Sequence, residues 1–262
     1  MKRFSLLLTL ACSPVSADII ERGEYLFDAA NCYACHTDTD NDGAALAGGR
    51  ALDSEYGTFY SPNITPDEAT GIGGWSDEDF IRAMKEGIAP DGRHYFPSFP
   101  YLAYRHMERE DMLALKAYLF SLDPVEQQNR EHEVTWYLSS LSMSAWKRLH
   151  DVRGGPALYD GSRGSYLIDV LGHCNECHTP RNKLGMLDLT RRYQGNPNLS
   201  APDITASGGL ADWEYQNLVD LFQYGELLDG DYVADHMAEV VDHSTSRWTE
   251  ADLDTAVRHL IE

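Results

Sequence analysis

The chain has 262 residues, long enough for two domains of about a hundred residues each. An apolar content of 43% supplies packed cores and excludes bulk disorder. With 42 acidic against 21 basic side chains the formal charge is −21, which excludes nucleic acid and anionic lipid as partners. It suits either a partner with a basic docking face or simple solubility.

The chain opens with a processing segment. Lys2-Arg3 form a positive start, Phe4 to Ala11 an apolar run, and Val15-Ser16-Ala17 a small-residue cleavage site, so residues 1–17 read as a signal peptide. The apolar run is too short to cross a bilayer as a permanent helix. Cleavage after Ala17 predicts export to the periplasm and leaves 19 basic against 42 acidic residues, a balance of −23. Cys12 raises a lipoprotein reading, which Thr9-Leu10-Ala11 fits poorly. Membrane contact is therefore expected only through partners or through lipidation at Cys12.

From residue 20 the same plan runs twice. Arg22-Gly23-Glu24-Tyr25-Leu26 leads into Cys32-Tyr33-Ala34-Cys35-His36, and Arg163-Gly164-Ser165-Tyr166-Leu167 leads into Cys174-Asn175-Glu176-Cys177-His178. Pro62-Asn63-Ile64-Thr65 matches Pro202-Asp203-Ile204-Thr205. Trp75 precedes a helix that starts at Ser76, with Asp79 placed for a capping box, and stops at Gly87. Trp213 precedes a similar helix that stops at Gly225. Each copy ends in an amphipathic helix, Glu110 to Phe120 and Glu250 to Ile261, the latter N-capped by Thr249. Alternating runs bounded by hairpin turns are missing, so almost no β-structure is predicted. Residues 124–156 carry Pro124, Trp136, Trp146 and Gly154-Gly155-Pro156, too aromatic for a free linker. They are expected to lie along the interface with one short helix.

Cys-x-x-Cys-His is the attachment signature of a c-type haem. Cys32 and Cys35, and again Cys174 and Cys177, are spaced to form thioethers to one porphyrin. The following His36 or His178 supplies a neutral imidazole to the iron. A lone Cys-x-x-Cys pair can instead bind zinc or act as a dithiol. Here each pair has its own histidine and the pairs are far apart, which favours two covalently bound haems. The fold class is then all-α: two tandem cytochrome c-like domains, 20–123 and 157–262, each wrapped around one covalent haem.

In one class of such domains a methionine completes the iron and raises its potential. Met237 lies 24 residues after Trp213 (237 − 213) and is the candidate for the second haem. The same count from Trp75 (99 − 75) lands on Phe99, which cannot ligate iron. The first haem is therefore five-coordinate or takes another side chain, with His94, His106 and Met107 nearby. Loss of the thioether predicts the lower potential for the first haem.

Two stretches resemble a known family. The first half has Gly57-Thr58-x-Tyr60-Ser61-x-Asn63-Ile64-Thr65-Pro66, Thr70-Gly71-Ile72-Gly73-Gly74-Trp75-Ser76-Asp77-Glu78-Asp79-Phe80 and Pro90-Asp91-Gly92-Arg93-His94. The second has Gly172-His173-Cys174, Cys177-His178-Thr179-Pro180-Arg181-Asn182 and Met237-Ala238-Glu239-Val240-Val241. Together they resemble the cytochrome c subunits of membrane-associated bacterial alcohol, gluconate, sorbitol and aldehyde dehydrogenases. The resemblance covers most of the chain after residue 17. It implies electron transfer from a dehydrogenase subunit to a quinone, a cytochrome or an oxidase, with the redox chemistry carried by the cofactor. The chain departs from the family in carrying two motifs where members commonly carry three. It also has Pro97-Ser98-Phe99-Pro100-Tyr101 where members have Pro-x-Met-Pro-Tyr. Members usually have a histidine at the His94 position beside their methionine, which argues against His94 as a replacement ligand.

Other motifs carry less. Asp38-Thr39-Asp40-Asn41-Asp42-Gly43 imitates a calcium loop, but its twelfth position is Gly49 rather than glutamate. No nucleophile elbow or phosphate loop is present. Two competing readings remain. One is an oxidoreductase of peroxidase or sulfur-compound type that uses an open first haem. The other is a gas or redox sensor, for which no signalling domain is visible.

Overall fold

The computed structural model describes residues 14–152 and 158–262. Cys12, most of the stretch read as a signal peptide, and Gly154-Gly155-Pro156 lie outside the described residues. The first copy runs α1 (Pro14–Ala29), α2 (Cys32–His36), β1 (Ala51–Ser54), β2 (Gly57–Tyr60), α3 (Asp77–Glu86), α4 (Tyr101–Tyr104) and α5 (Arg109–Leu119). β3 (Glu133–Val134) and α6 (Ser140–Val152) follow. The second copy begins with α7 (Arg163–Ser165), which continues as a π-helical stretch over Tyr166–Leu171. It goes on through α8 (Asn175–His178), β4 (Gln194–Asn196), β5 (Ala201–Asp203), α9 (Tyr215–Tyr224), α10 (Asp235–His243) and α11 (Glu250–Ile261).

The fold is mostly helical, but the expectation of almost no β-structure is corrected. β1, β2 and β3 form an antiparallel three-stranded sheet, and β4 pairs with β5. The β1–β2 turn has Glu55 and Tyr56 at its tip instead of an Asn-Gly or Asp-Gly pair, and these strands are too short to show an alternating pattern.

The recurring Arg-Gly-x-x-Leu frame is explained by helix crossing. α1 packs on α5, and a Cβ on Gly23 would lie 2.0 Å from the Ala114 carbonyl oxygen. α7 packs on α11 in the same way, and a Cβ on Gly164 would lie 2.9 Å from the Thr255 oxygen and 2.5 Å from the His259 Cβ. Only glycine lets the two backbones approach so closely. Leu26 and Leu167, three residues on, are buried in one hydrophobic core that draws on both copies. α3 has the predicted capping box, Ser76 with Asp79, and ends at Gly87 in the left-handed region (φ 60°). α9 ends likewise at Gly225 (φ 75°). Thr249 caps α11 as predicted.

Residues 124–134 strap the first copy rather than running free. Asn63 donates to the Val125 carbonyl (2.7 Å), Gln127 donates to Thr70 (3.0 Å), and Tyr60 donates its amide to His132 Nδ1 (3.1 Å). α6 then caps α3, with Lys147 Nζ donating to the Glu86 and Gly87 carbonyls at 2.7 Å. It touches the second copy where Trp146 donates to the Leu184 carbonyl (2.7 Å). No helix of the described residues is long and apolar enough to cross a membrane.

Candidate functional site: twin Cys-x-x-Cys-His helices

Each motif forms a single helical turn entered through a left-handed residue, Asn31 (φ 51°) in the first copy and His173 (φ 39°) in the second. That kink ends the preceding helix and turns the motif away from it. Cys32 and Cys174 are half-buried, Cys35 and Cys177 are exposed, and none of the four is tied up in a disulfide. Among the described residues no three or more Cys, His, Asp or Glu side chains gather in a way that could hold a metal ion, so the two pairs do not make a four-cysteine zinc site. The acidic turn after the first motif closes on itself, with Asn41 donating to Asp38 at 3.0 Å.

The two histidines are oriented identically. His36 Nδ1 lies 2.8 Å from the Pro62 carbonyl oxygen, and His178 Nδ1 lies 2.8 Å from that of Pro202. A carbonyl only accepts, so Nδ1 carries the proton and Nε2 keeps its lone pair. Burial lowers both imidazole pKa values, which keeps the rings neutral. A neutral imidazole with Nδ1–H held by a carbonyl and Nε2 free is the arrangement that ligates a metal. The proline carbonyls are themselves fixed. Thr65 donates its amide and hydroxyl to Asn63 Oδ1 (2.9 and 2.7 Å), and Thr205 does the same to Asp203 (2.7 and 2.6 Å). The repeated Pro-Asn/Asp-Ile-Thr stretch is legible in the sequence, but its task of aiming a carbonyl at the histidine is not.

Further along each copy the two share a backbone register. Tyr95 donates to the Gly87 carbonyl (2.7 Å) and Ala89 to that of Arg93 (2.9 Å). In the second copy Val233 donates to Gly225 (2.8 Å) and Leu227 to Asp231 (2.8 Å). Every one of these residues is offset by 138 positions (225 − 87, 233 − 95), and the same offset pairs Phe99 with Met237 (237 − 99). Met237 is half-buried in the first turn of α10. Phe99 is half-buried against the rings of Tyr95 (5.9 Å) and Tyr104 (5.6 Å). Of the other candidates, Met107 is 1% exposed inside the hydrophobic core, and His106 packs on Tyr159. His94 is held through its amide by Ser140 Oγ (2.8 Å), with Nδ1 buried and unpaired.

Three side chains at the junction of the copies escaped sequence reasoning. Arg50 is buried and reaches both the first motif and α10, Glu239 on α10 receives it, and Tyr104 meets His173 edge-on at 5.7 Å. No local pattern marks them, because their partners are far away in sequence.

Comparison with known proteins agrees with this geometry. The cytochrome c family model matches residues 20–123. A dihaem c-type cytochrome of Cereibacter sphaeroides is 38% identical over 88% of this chain and 81% of its own length. The fructose dehydrogenase cytochrome subunit of Gluconobacter japonicus is 36% identical over 92% of this chain. The gluconate 2-dehydrogenase cytochrome c subunit of Pantoea cypripedii is 34% identical over 96%. The chain spans 52% and 61% of those two subunits. The chain belongs to the cytochrome c family. Within it the similarity is to dihaem c-type cytochromes, and its cofactors are two covalently bound c-type haems with their irons.

Proposed function

We propose that the chain is an exported electron-transfer protein built as two tandem cytochrome c domains, residues 20–123 and 157–262. It takes electrons from a partner dehydrogenase and delivers them to a quinone, a cytochrome or an oxidase. Bound haem supplies reversible one-electron exchange at its iron. The chain's part is to anchor and tune. Cys32 with Cys35, and Cys174 with Cys177, hold the two porphyrins. His36 and His178 are the proximal ligands, made better donors by the Pro62 and Pro202 carbonyls. Met237 would offer its thioether to the second haem as the distal ligand, and Phe99 offers none to the first. The first haem then has the lower potential and suits the donor side.

The observation that carries this reading is the duplicated histidine-to-proline-carbonyl bond behind two attachment motifs. Relatives named as cytochrome subunits of fructose and gluconate dehydrogenases support a dehydrogenase donor. The acidic surface supports a partner with a basic face, and the Lys2-Arg3 start with its apolar run and Ala17 supports export to the periplasm.

Phe99 favours a second reading, an oxidoreductase acting at an open first haem. Against it, the Tyr104 hydroxyl beside Phe99 is already engaged, donating to the Ala30 carbonyl at 3.1 Å. Mass analysis of exported protein, followed by assays with peroxide and thiosulfate, separates the readings. Electron transfer predicts two covalent haems and no turnover by the isolated chain. Turnover of either substrate selects the enzyme, and protein lacking both haems rules out both.

A further inference from the structure

The two copies meet through their haem-binding elements. α2, which carries the first motif, packs on α10, which carries Met237, and the rings of Tyr33 and His243 lie 4.7 Å apart. Arg50 sits at this contact with its side chain only 9% exposed. Nη1 donates to the carbonyl of Ala34, between the two cysteines of the first motif, at 2.5 Å. Nη2 meets the carboxylate oxygens of Glu239 at 2.7 and 2.8 Å. His236 Nδ1 is also 3.6 Å from that carboxylate. Glu239 stands two residues beyond Met237 on the same helix.

α10 needs such an anchor. It has nine residues, no side-chain cap at Ala234, and a first residue, Asp235, in the left-handed region (φ 51°). Short helices are marginal by themselves and depend on tertiary contacts. A planar guanidinium that bridges a carbonyl and a carboxylate fixes both direction and distance.

Among the described residues the clasp has no twin. Leu46 donates to Thr37 Oγ1 (3.1 Å) and accepts from Ile64 (2.9 Å), and Tyr193 repeats this with Thr179 (3.0 Å) and Ile204 (2.8 Å). That register, an offset of 147 (193 − 46), puts Pro197 where Arg50 stands (197 − 50), and the offset of 138 puts Tyr101 where Glu239 stands (239 − 101). Proline and tyrosine form no ion pair. The clasp therefore occurs only on the side whose distal residue is methionine.

We propose that Arg50 is a positioning residue for the second haem. From the first domain it fixes α10 through Glu239 and so holds the Met237 thioether at the distal side. This rests on the reading of Met237 as a ligand. Electron transfer at the second haem is thereby tuned by a residue of the other domain, and the two centres are mechanically coupled.

The test compares the haem-loaded full chain with its Glu239→Gln, Arg50→Lys and Met237→Ala variants at fixed pH. Readouts are the near-infrared charge-transfer band of thioether-ligated ferric haem, imidazole binding and both midpoint potentials. Glu239→Gln is expected to weaken the band, strengthen imidazole binding about tenfold, and lower the second potential while the first stays put. Arg50→Lys, which keeps the charge, is expected to lose less of the band than Glu239→Gln. An unchanged band in Glu239→Gln beside its loss in Met237→Ala overturns the clasp and leaves the ligand standing. A parallel fall of both potentials also overturns it, since that is general loosening. A band unaffected by Met237→Ala overturns the ligand and the clasp together.

Discussion

Tyr25 and Tyr166 hold the same place in the two copies and donate across the junction in opposite directions, Tyr25 to Asp252 and Tyr166 to Asp111 at 2.6 Å. Each aspartate also takes an arginine of its own copy, Arg22 Nε to Asp111 at 2.7 Å and Arg163 Nε to Asp252 at 2.8 Å. The junction is thus a pseudo-two-fold exchange, like an isologous dimer made within one chain. Burial, with the Asp252 bond adding to it, pushes the Tyr25 hydroxyl up to about 12, so it stays protonated as the donor.

Tyr166→Phe should destabilise the haem-loaded chain by about 1.5–3 kcal/mol, because it removes a donor from the nearly buried Asp111 carboxylate. Tyr25→Phe should cost less, since Asp252 is more open to water than Asp111. Denaturant titration of both variants measures this. Equal stability of all three proteins would show the exchange to be incidental.

Gly23→Ala should cost about 1–3 kcal/mol, since the added methyl meets backbone at 2.0 Å and α1 must move off α5. Gly74→Ala is the control: like Gly23 it lies outside the left-handed region, and the nearest atom to an added Cβ is the Glu68 carbonyl oxygen at 3.9 Å. Thermal melts should separate the two, with Gly23→Ala the lower. A Gly23→Ala melt at the parent's temperature would contradict the close crossing.

Acid stability should depend on Asp169, whose side chain is fully buried behind the second motif. Burial would raise its pKa, but bonds from His259, Arg192 and Tyr193 outweigh this and hold it below the ordinary carboxylate value. Its contribution is therefore complete above the unfolded value of about 3.9 and is lost as pH falls through the lower folded value. Asp169→Asn should be less stable by about 3–5 kcal/mol at neutral pH, with the gap closing in strong acid. Unfolding curves across pH decide, and a gap that does not narrow would assign the effect elsewhere.

Phe99→Met should complete the first haem. The variant is expected to raise the lower potential by on the order of 100 mV, within the roughly 0.8 V that axial ligands can set, and to slow carbon monoxide binding. A variant with the parent's potentials would mean that position 99 does not face the distal side.

Much of the site was legible because haem attachment needs a contiguous motif, and because a duplication makes each copy a ruler for the other. The Trp-to-Met count and the backbone register agree on Phe99 and Met237. The caps at Ser76, Gly87 and Thr249 were legible because capping is local chemistry. The three- and four-residue strands were not, being too short for a period. Neither was the π-helical winding over Tyr166–Leu171, nor Arg50, whose partner Glu239 is 189 positions away. Such contacts come from tertiary packing and leave no trace in local pattern.

The central claim is that the two haems differ at the sixth position, with sulfur from Met237 at one and none opposite Phe99 at the other. Potentiometric titration of the purified chain, followed in the visible spectrum with and without carbon monoxide, tests it most directly. The account predicts two separated one-electron waves, the lower belonging to a ferrous haem that takes up carbon monoxide at once. Two coincident high potentials with neither haem binding carbon monoxide would contradict it.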